Sequence, residues 1–377
     1  MLIGVLKETV AGEKRVALVP ESLGKLKEVT VLVEKGAGES AGFADAAYQE
    51  KGATVVEREE LLGKADVVLK VQPPTDTEVV GLKQGAMLIS FLYPLDNLGV
   101  ISKLLERKVT ALAMELMPRI SRAQSMDALS SQATISGYKA VLLAANTLPK
   151  LFPMRMTAAG TIPPAKVFVI GAGVAGLAAI AVARQLGAIV EAYDVRPAAK
   201  EQVESLKAKF VALQLETADA QTSGGYAKAQ SEDFYLKQQQ LMAEAIRSHA
   251  YDVIVTTASV PGKRAPQLIT EEAVKGMRCG SVIVDLAGEQ GGNCVLTEPG
   301  QDVVKHGVVI MSPVNLPSTM APQASQLYSK NIITFLLAML KDGALNLDTN
   351  DALVSGTMVT RDGILLHEAA KSALERS

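Results

Sequence analysis

Cysteine and histidine are scarce in this sequence, and what is missing narrows the chemistry. Two cysteines, Cys279 and Cys294, are too few for a disulfide framework, which fits a reducing compartment. The three histidines, His249, His306 and His367, fall on a predicted helix end, beside a predicted strand start and in the C-terminal tail. None is placed for acid–base catalysis, and no metal site is expected. A strong charge of either sign is also absent. A formal net charge of −2 suggests neither nucleic acid nor an anionic membrane surface as a partner. The most apolar stretch, residues 332–340, is about half the length needed to span a bilayer. The N-terminus, Met1-Leu2-Ile3-Gly4-Val5-Leu6 followed by charges, lacks the basic lead and long apolar run of a secretory signal. The expectation is a soluble, cytoplasmic protein.

What is present is a globular composition on a long chain: 377 residues, 48% hydrophobic and 21% charged. That length suits two domains, each with its own core. Short β-branched runs alternate with helical stretches, the pattern of parallel sheets with crossover helices. Strands are predicted at 2–6, 30–34, 66–71, 86–91 and 109–116, with helices at 22–28, 45–51 and 98–107. After the break at Pro163-Pro164 a second series begins, with strands at 166–170, 189–192, 210–212, 252–256, 281–286 and 308–311. A long helix is predicted over 324–340, then a short β-rich tail over 354–360 and 363–366. The tail is too small to stand alone and is expected to return to the first domain. The fold class is therefore α/β, with two Rossmann-like doubly wound domains, the first discontinuous. Its expected extents are 1–135 plus 325–377, with the second domain at 136–324.

The second domain opens on Gly171-Ala172-Gly173-Val174-Ala175-Gly176, between a buried-strand sequence and an Ala-rich helix. In that context the glycines have separate tasks. Gly171 allows the tight turn, Gly173 lets backbone approach a pyrophosphate, and Gly176 lets the helix pack on the strand. The helix N-terminus offers N–H groups to phosphate. The next strand delivers Asp194, whose carboxylate suits ribose hydroxyls and repels a 2′-phosphate. Arg196 lies close by and could favour NADP, but the acid ends the strand and takes priority. NAD(H) is the expected cofactor. In the first domain Gly36-Ala37-Gly38 follows a strand, yet the third glycine falls late, at Gly42. A tight structural loop explains it better, and one chain should hold one dinucleotide.

Two loops could serve the nicotinamide end. Residues 118–127, leaving the strand at 109–116, carry Arg119, Ile120, Ser121, Arg122, Gln124, Ser125, Met126 and Asp127, followed by Ser130. Ligands bind at that end of open α/β sheets. A helix cap would equally explain Asp127 or Ser125. The second loop, 222–227, pairs Gly224 and Gly225 with Tyr226, giving a hinge and an aromatic lid, or simply a mobile surface loop. A dehydrogenase acting on an alcohol or amino acid must move a substrate proton. Hydride transfer between two nicotinamides needs only close, aligned rings.

Across essentially the whole chain these residues resemble the alanine dehydrogenase and nicotinamide nucleotide transhydrogenase superfamily. Within it, the chain looks like the NAD(H)-binding branch of the proton-translocating transhydrogenases, in the split-subunit bacterial form. The specific run is Ala113-Met114-Glu115-Leu116-Met117-Pro118-Arg119-Ile120-Ser121-Arg122-Ala123-Gln124-Ser125-Met126-Asp127, supported by residues 222–228 and 285–293. The resemblance implies that Arg119, Gln124, Asp127 and Ser130 meet the nicotinamide end and serve the transfer, and that Tyr226 closes over the nucleotide. It further implies contacts from Ala172, Gly173, Val174, Asp194, Val195, Arg196, Gly225, Gln238 and Ser259. It implies a homodimer that passes hydride to NADP(+) on an NADP-binding partner subunit, with a membrane-embedded subunit conducting protons. The chain would then sit peripherally on the inner face of a bacterial plasma membrane.

Alanine dehydrogenase is the rival inside the superfamily. Arg15 and Lys70 match positions that hold its 2-oxo acid, but its catalytic histidine would fall at Tyr93 and its active-site aspartate at Glu289. Phenol is a poor proton relay near neutral pH. Arg15 and Lys70 then read as remnants serving structure or a neighbouring polar contact. A sensor module that only binds NAD is the non-enzymatic alternative, which the nicotinamide-end loop argues against.

Overall fold

The computed structural model describes residues 1–26, 29–215, 227–228, 230–260, 263–341 and 343–376. Gly225 and Tyr226, and with them most of the expected lid, lie outside the described residues. The chain forms two compact units, residues 1–132 with 317–377, and residues 133–316.

The first unit begins with six short strands: β1 (Leu2–Val5), β2 (Thr30–Glu34), β3 (Thr54–Val56), β4 (Val67–Leu69), β5 (Met87–Ser90) and β6 (Thr110–Ala113). Between them run α1 (Asp45–Glu50), α2 (Arg58–Lys64), α3 (Asp76–Gly81) and α4 (Leu98–Glu106). All neighbouring pairs among these six strands are parallel, in the order β6-β5-β4-β1-β2-β3. Helix α3 starts on a capping box in which Thr75 and Glu78 satisfy each other's backbone N–H groups. The helix expected at 22–28 is instead a 3-10 turn, Pro20–Lys25. Pro20 opens it and Gly24 weakens any longer helix. Strand β6 stops at Ala113, and Met114–Leu116 form another 3-10 turn. Strand β3 and helices α2 and α3 are too short to show a clear hydrophobic period.

The chain leaves this unit within the helix α5 (Ala128–Thr147). A hairpin of β7 (Arg155–Thr157) and β8 (Gly160–Ile162) precedes the second sheet. That sheet contains β9 (Lys166–Ile170), β10 (Ile189–Tyr193), β11 (Lys209–Phe210), β12 (Val253–Thr256), β13 (Val282–Asp285), β14 (Asp302–Lys305) and β15 (Val308–Met311). Its order is β11-β10-β9-β12-β13-β15-β14, parallel except for the edge strand β14. Helices α6 (Val174–Gln185), α7 (Ala199–Ser205), α8 (Glu232–His249) and α9 (Glu271–Lys275) complete it. The order reverses between β9 and β12, so this is a doubly wound sheet with its switch point there. Strand β14 alternates exposed and half-buried residues. Its sequence, Asp-Val-Val-Lys, carries only two apolar residues and does not announce a strand.

Helix α10 (Ala321–Met339) then returns to the first unit. Its Tyr328, Ile332, Phe335 and Leu336 are buried in one core with Ile3, Val33 and Leu69. Its serines serve backbone: Ser325 and Ser329 accept from the N–H groups of Val16 and Val19. A small ladder of β16 (Leu340–Lys341) and β17 (Ala344–Leu345) follows, then α11 (Ala352–Thr357), β18 (Met358–Arg361), β19 (Ile364–Leu365) and α12 (Glu368–Leu374). Strand β18 pairs antiparallel with β6 and with β19, which makes the first sheet eight-stranded among the described residues. The β-rich reading of 354–360 holds over 358–360, which lie in β18, and is corrected over 354–357. Asp351 caps the N–H of Leu353 at 2.9 Å and turns Val354 to Thr357 into a helix, so local capping overrides β propensity. Among the described residues no helix is long and apolar enough to cross a membrane.

Candidate functional site

In the second unit the glycine turn lies at the end of β9, at the switch point. Gly171 has φ +95°, and a Cβ there would sit 2.7 Å from Thr257 Oγ1. At Gly176 a Cβ would lie 1.8 Å from the carbonyl oxygen of Gly171, so only glycine lets α6 come this close to the strand. Gly173 differs from both. Its φ is −74°, and an added Cβ would meet nothing within 4 Å. Neither strain nor packing inside the protein requires glycine there, and the backbone face stays open to an incoming group. Gly173 is also the N-cap of α6 and makes no side-chain cap bond. The first turn of a helix three turns long therefore presents its N–H groups without a capping side chain. Val174 beside it is exposed, while Ala172 is buried. These features fit a dinucleotide pyrophosphate.

Asp194, at the end of β10, is buried and held in place. Its Oδ2 accepts from Ala172 N at 2.7 Å, and its Oδ1 from Arg196 N at 2.8 Å. The guanidinium of Arg196 forks onto both oxygens, and that bond raises the Arg196 pKa. Val195 lies half-buried between them. Gln238, on α8, is buried and donates to Tyr193 Oη at 2.7 Å, while its Oε1 has no partner among the described residues. Burial pushes the Tyr193 phenol up to about 12. Ser259 is exposed on the loop after β12. This unit thus gathers Gly171, Ala172, Gly173, Val174, Gly176, Asp194, Val195, Arg196, Gln238 and Ser259 on the elements surrounding one switch point. Sequence reasoning missed Thr257, whose hydroxyl donates to Gly171 O at 2.9 Å.

The first unit carries the other expected loop. Residues Ser121–Met126 form a 3-10 turn between β6 and α5. Ala123 and Met126 are buried in the core and fix the loop, so the Met126 side chain faces inward. Arg119, Ile120, Ser121, Arg122, Gln124 and Ser125 are exposed. Asp127 does cap the helix: it accepts from Ser130 N at 2.9 Å and from Ser130 Oγ at 2.6 Å. Arg122 pairs with Asp351. Asn331 on α10, unremarked in the sequence, donates to Ser125 O at 2.9 Å and accepts from Ser131 Oγ at 2.7 Å.

Arg15 and Lys70 lie near the ends of β1 and β4, where the first sheet reverses its own order. Both are buried among carboxylates. Arg15 grips Glu13 with Nε at 2.8 Å and Nη2 at 2.6 Å, and donates Nη1 to Gln132 at 2.9 Å. Burial raises the Glu13 carboxyl, but the Arg15 hydrogen bonds and charge outweigh it and hold the pKa at about 2. Lys70 stands 3.3 Å from Glu8 and 3.1 Å from Glu78. Tyr93 is exposed, has φ +45° and stacks on Phe91 with ring centroids 5.7 Å apart. The Glu115 carboxylate accepts from the N–H groups of Leu92 and Tyr93, and burial raises its pKa to about 7. Glu289 is exposed on a 3-10 turn. The histidines serve local structure: His249 ends α8, His306 contacts Glu271 at 2.8 Å, and His367 caps α12.

Two family models match in tandem. The description "Alanine dehydrogenase/PNT, N-terminal domain" covers residues 4–136, and "Alanine dehydrogenase/PNT, C-terminal domain" covers residues 140–368. The chain is 51% identical over 381 aligned positions to the first of the polypeptides forming the NAD(P) transhydrogenase alpha subunit of Rhodospirillum rubrum, covering 98% of each chain. A solved transhydrogenase from Sinorhizobium meliloti is 45% identical, with TM-score 0.87 over 97% of this chain and 100% of that one. A solved L-alanine dehydrogenase is 27% identical, with TM-score 0.83 over 100% of this chain and 99% of the other. The fold is thus shared with both enzymes, while sequence identity is far higher to the transhydrogenases. The chain belongs to the alanine dehydrogenase/PNT family and, within it, to the NAD(P) transhydrogenase alpha subunits.

Proposed function

We propose that this chain is the NAD(H)-binding subunit of a proton-translocating transhydrogenase. It passes hydride from NADH directly to NADP(+) on a partner subunit, and a membrane-embedded subunit couples the transfer to proton movement. It acts as a homodimer, peripheral on the inner face of the bacterial plasma membrane through those partners. The observation that carries the nucleotide assignment is Gly173, whose glycine is required neither by strain nor by packing and whose face is open at an uncapped helix N-terminus.

When bound, NADH supplies the hydride, and the protein's task is to bind and orient. The α6 N–H groups hold the pyrophosphate through charge-assisted bonds. Asp194 selects ribose hydroxyls over a 2′-phosphate. Gly225 and Tyr226 serve as the lid. Gln124 and Arg119 align the nicotinamide end from exposed positions, and Asp127 and Ser130 build the helix start beside them. Acid–base chemistry is not called on, which agrees with Tyr93 and Glu289 standing where alanine dehydrogenase keeps its proton-handling pair. The test is a transhydrogenation assay with a purified NADP-binding partner subunit. Hydride transfer that requires both proteins supports the proposal. NADH-dependent amination of pyruvate by this chain alone would replace it with the dehydrogenase reading.

A further inference from the structure

The run 285–293, Asp-Leu-Ala-Gly-Glu-Gln-Gly-Gly-Asn, has no role in the function argued so far, yet it ends in a fully buried amide. Asn293 is 0% exposed. Its Oδ1 accepts from Ala258 N at 3.0 Å, and its Nδ2 donates to Ala258 O and to Pro266 O, both at 2.8 Å. One side chain therefore takes both backbone groups of Ala258, as a neighbouring strand would. Ala258 needs such a partner because it lies past the end of β12, where the sheet ladder has stopped.

Asn293 is itself fixed. Asp285, also 0% exposed, accepts from Asn293 N at 2.7 Å and Cys294 N at 3.0 Å. It accepts further from Ala287 N at 3.0 Å, Thr256 Oγ1 at 2.8 Å and Thr297 Oγ1 at 2.7 Å. The loop after β13 is thereby folded back so that the amide points at the loop after β12. On either side of Ala258 stand Thr257, bonded to the Gly171 turn, and Ser259, exposed.

A dinucleotide at a switch point lies across the carboxyl ends of the strands on both sides of it. Asp194 places the adenosine half over β9 and β10, so the nicotinamide half crosses to β12. We propose that Asn293 is a positioning residue for that half: by gripping Ala258 it sets the backbone of residues 257–259 against the Gly171 turn. This inference rests on the NAD(H) assignment above.

NADH and ADP-ribose, which lacks only the nicotinamide, separate the two halves. Both are titrated into the full-length chain and its Asn293→Asp variant, NADH by its own fluorescence in a protein without tryptophan and ADP-ribose by calorimetry. Aspartate keeps the shape but sets a carboxylate oxygen against two carbonyls. NADH affinity is expected to fall tenfold or more and ADP-ribose affinity less than threefold. Hydride transfer to the partner's NADP(+) at saturating NADH is expected to fall at least tenfold. Should Asn293→Asp fail to fold, Asn293→Ala decides by the same ratio. Equal loss for both ligands would mark a general structural role and overturn the proposal, as would no loss for either. If the native chain bound neither ADP-ribose nor NADH, the NAD(H) assignment itself would fall, and this inference with it.

Discussion

Arg196 closes its fork on Asp194, with Nε 2.8 Å from Oδ1 and Nη2 2.8 Å from Oδ2. The amides of Ala172 and Arg196 donate to the same two oxygens, so the carboxylate's roughly four acceptor positions are all taken. Ribose hydroxyls must displace part of the Arg196 fork to reach it. Asp194→Asn is expected to weaken NADH by about 1–3 kcal/mol and to narrow the preference over NADPH. Arg196→Met, which leaves the carboxylate uncompensated, is expected to widen that preference. Parallel fluorescence titrations of the two cofactors check both, and equal affinity of the native chain for NADH and NADPH would refute the assignment.

Gln124 is exposed on a loop pinned from below by Met126 and Asn331. Shortening it to asparagine draws its amide back by one methylene on an unmoved backbone. Misplacement on the order of 1 Å can cost about a hundredfold in rate. Gln124→Asn should therefore slow hydride transfer to the partner strongly and change NADH affinity much less. A variant that transfers hydride at the native rate would contradict its aligning role.

The Arg15–Glu13 pair makes a prediction about stability. Arg15→Met leaves the Glu13 carboxylate buried and short of its main counterion, a loss of about 3–5 kcal/mol. The double variant Arg15→Met, Glu13→Gln removes the orphaned charge and should recover a large share of it. Urea unfolding of the two variants measures the difference. A double variant as unstable as the single one would show that packing, not charge, sets the cost.

Glu115 gives a pH dependence of opposite sign to Glu13. Its folded pKa, about 7, lies above the ordinary value of 4.5. The folded state therefore binds the proton more tightly, and this contribution to stability is complete below about 4.5 and lost as pH rises through about 7. At about 1.4 kcal/mol for each pH unit between those two values, the loss is about 3 kcal/mol. Glu115→Gln keeps an acceptor for Leu92 and Tyr93 without titrating. Its unfolding free energy should fall less than that of the native chain between pH 4.5 and 7. Buried Glu8, whose pKa is also raised, is common to both proteins and cancels in the difference.

The sequence made the nucleotide turn legible because Gly171 and Gly176 answer local demands, a tight turn and a close helix approach, that neighbouring residues announce. The strand before it, the helix after it and Asp194 at the end of the next strand all lie within a short stretch of chain. The parallel-sheet class was legible for the same reason, through the β-branched runs that form buried strands such as Val253–Thr256. Distant partnerships were hidden. Asn331 meets Ser125, and Asn293 meets Ala258, across separations that no periodicity reports. The tail misled because Val354 has strand propensity, while the chain there opens a short helix, Ala352–Thr357, whose Leu353 N–H is capped by Asp351.

The return of α10 and β18 to the first unit also dictates an order of events during synthesis. All of residues 133–316 precede the segment that closes the first unit. A nascent chain that has released the whole second unit still lacks Tyr328, Ile332 and Phe335 over the apolar face of β1, β2 and β4, and β6 still has no partner on one edge. Domains generally fold as units as they emerge, so the portion made first is finished last. That interval, with an open core and an unpaired strand edge, is when this chain is most exposed to aggregation.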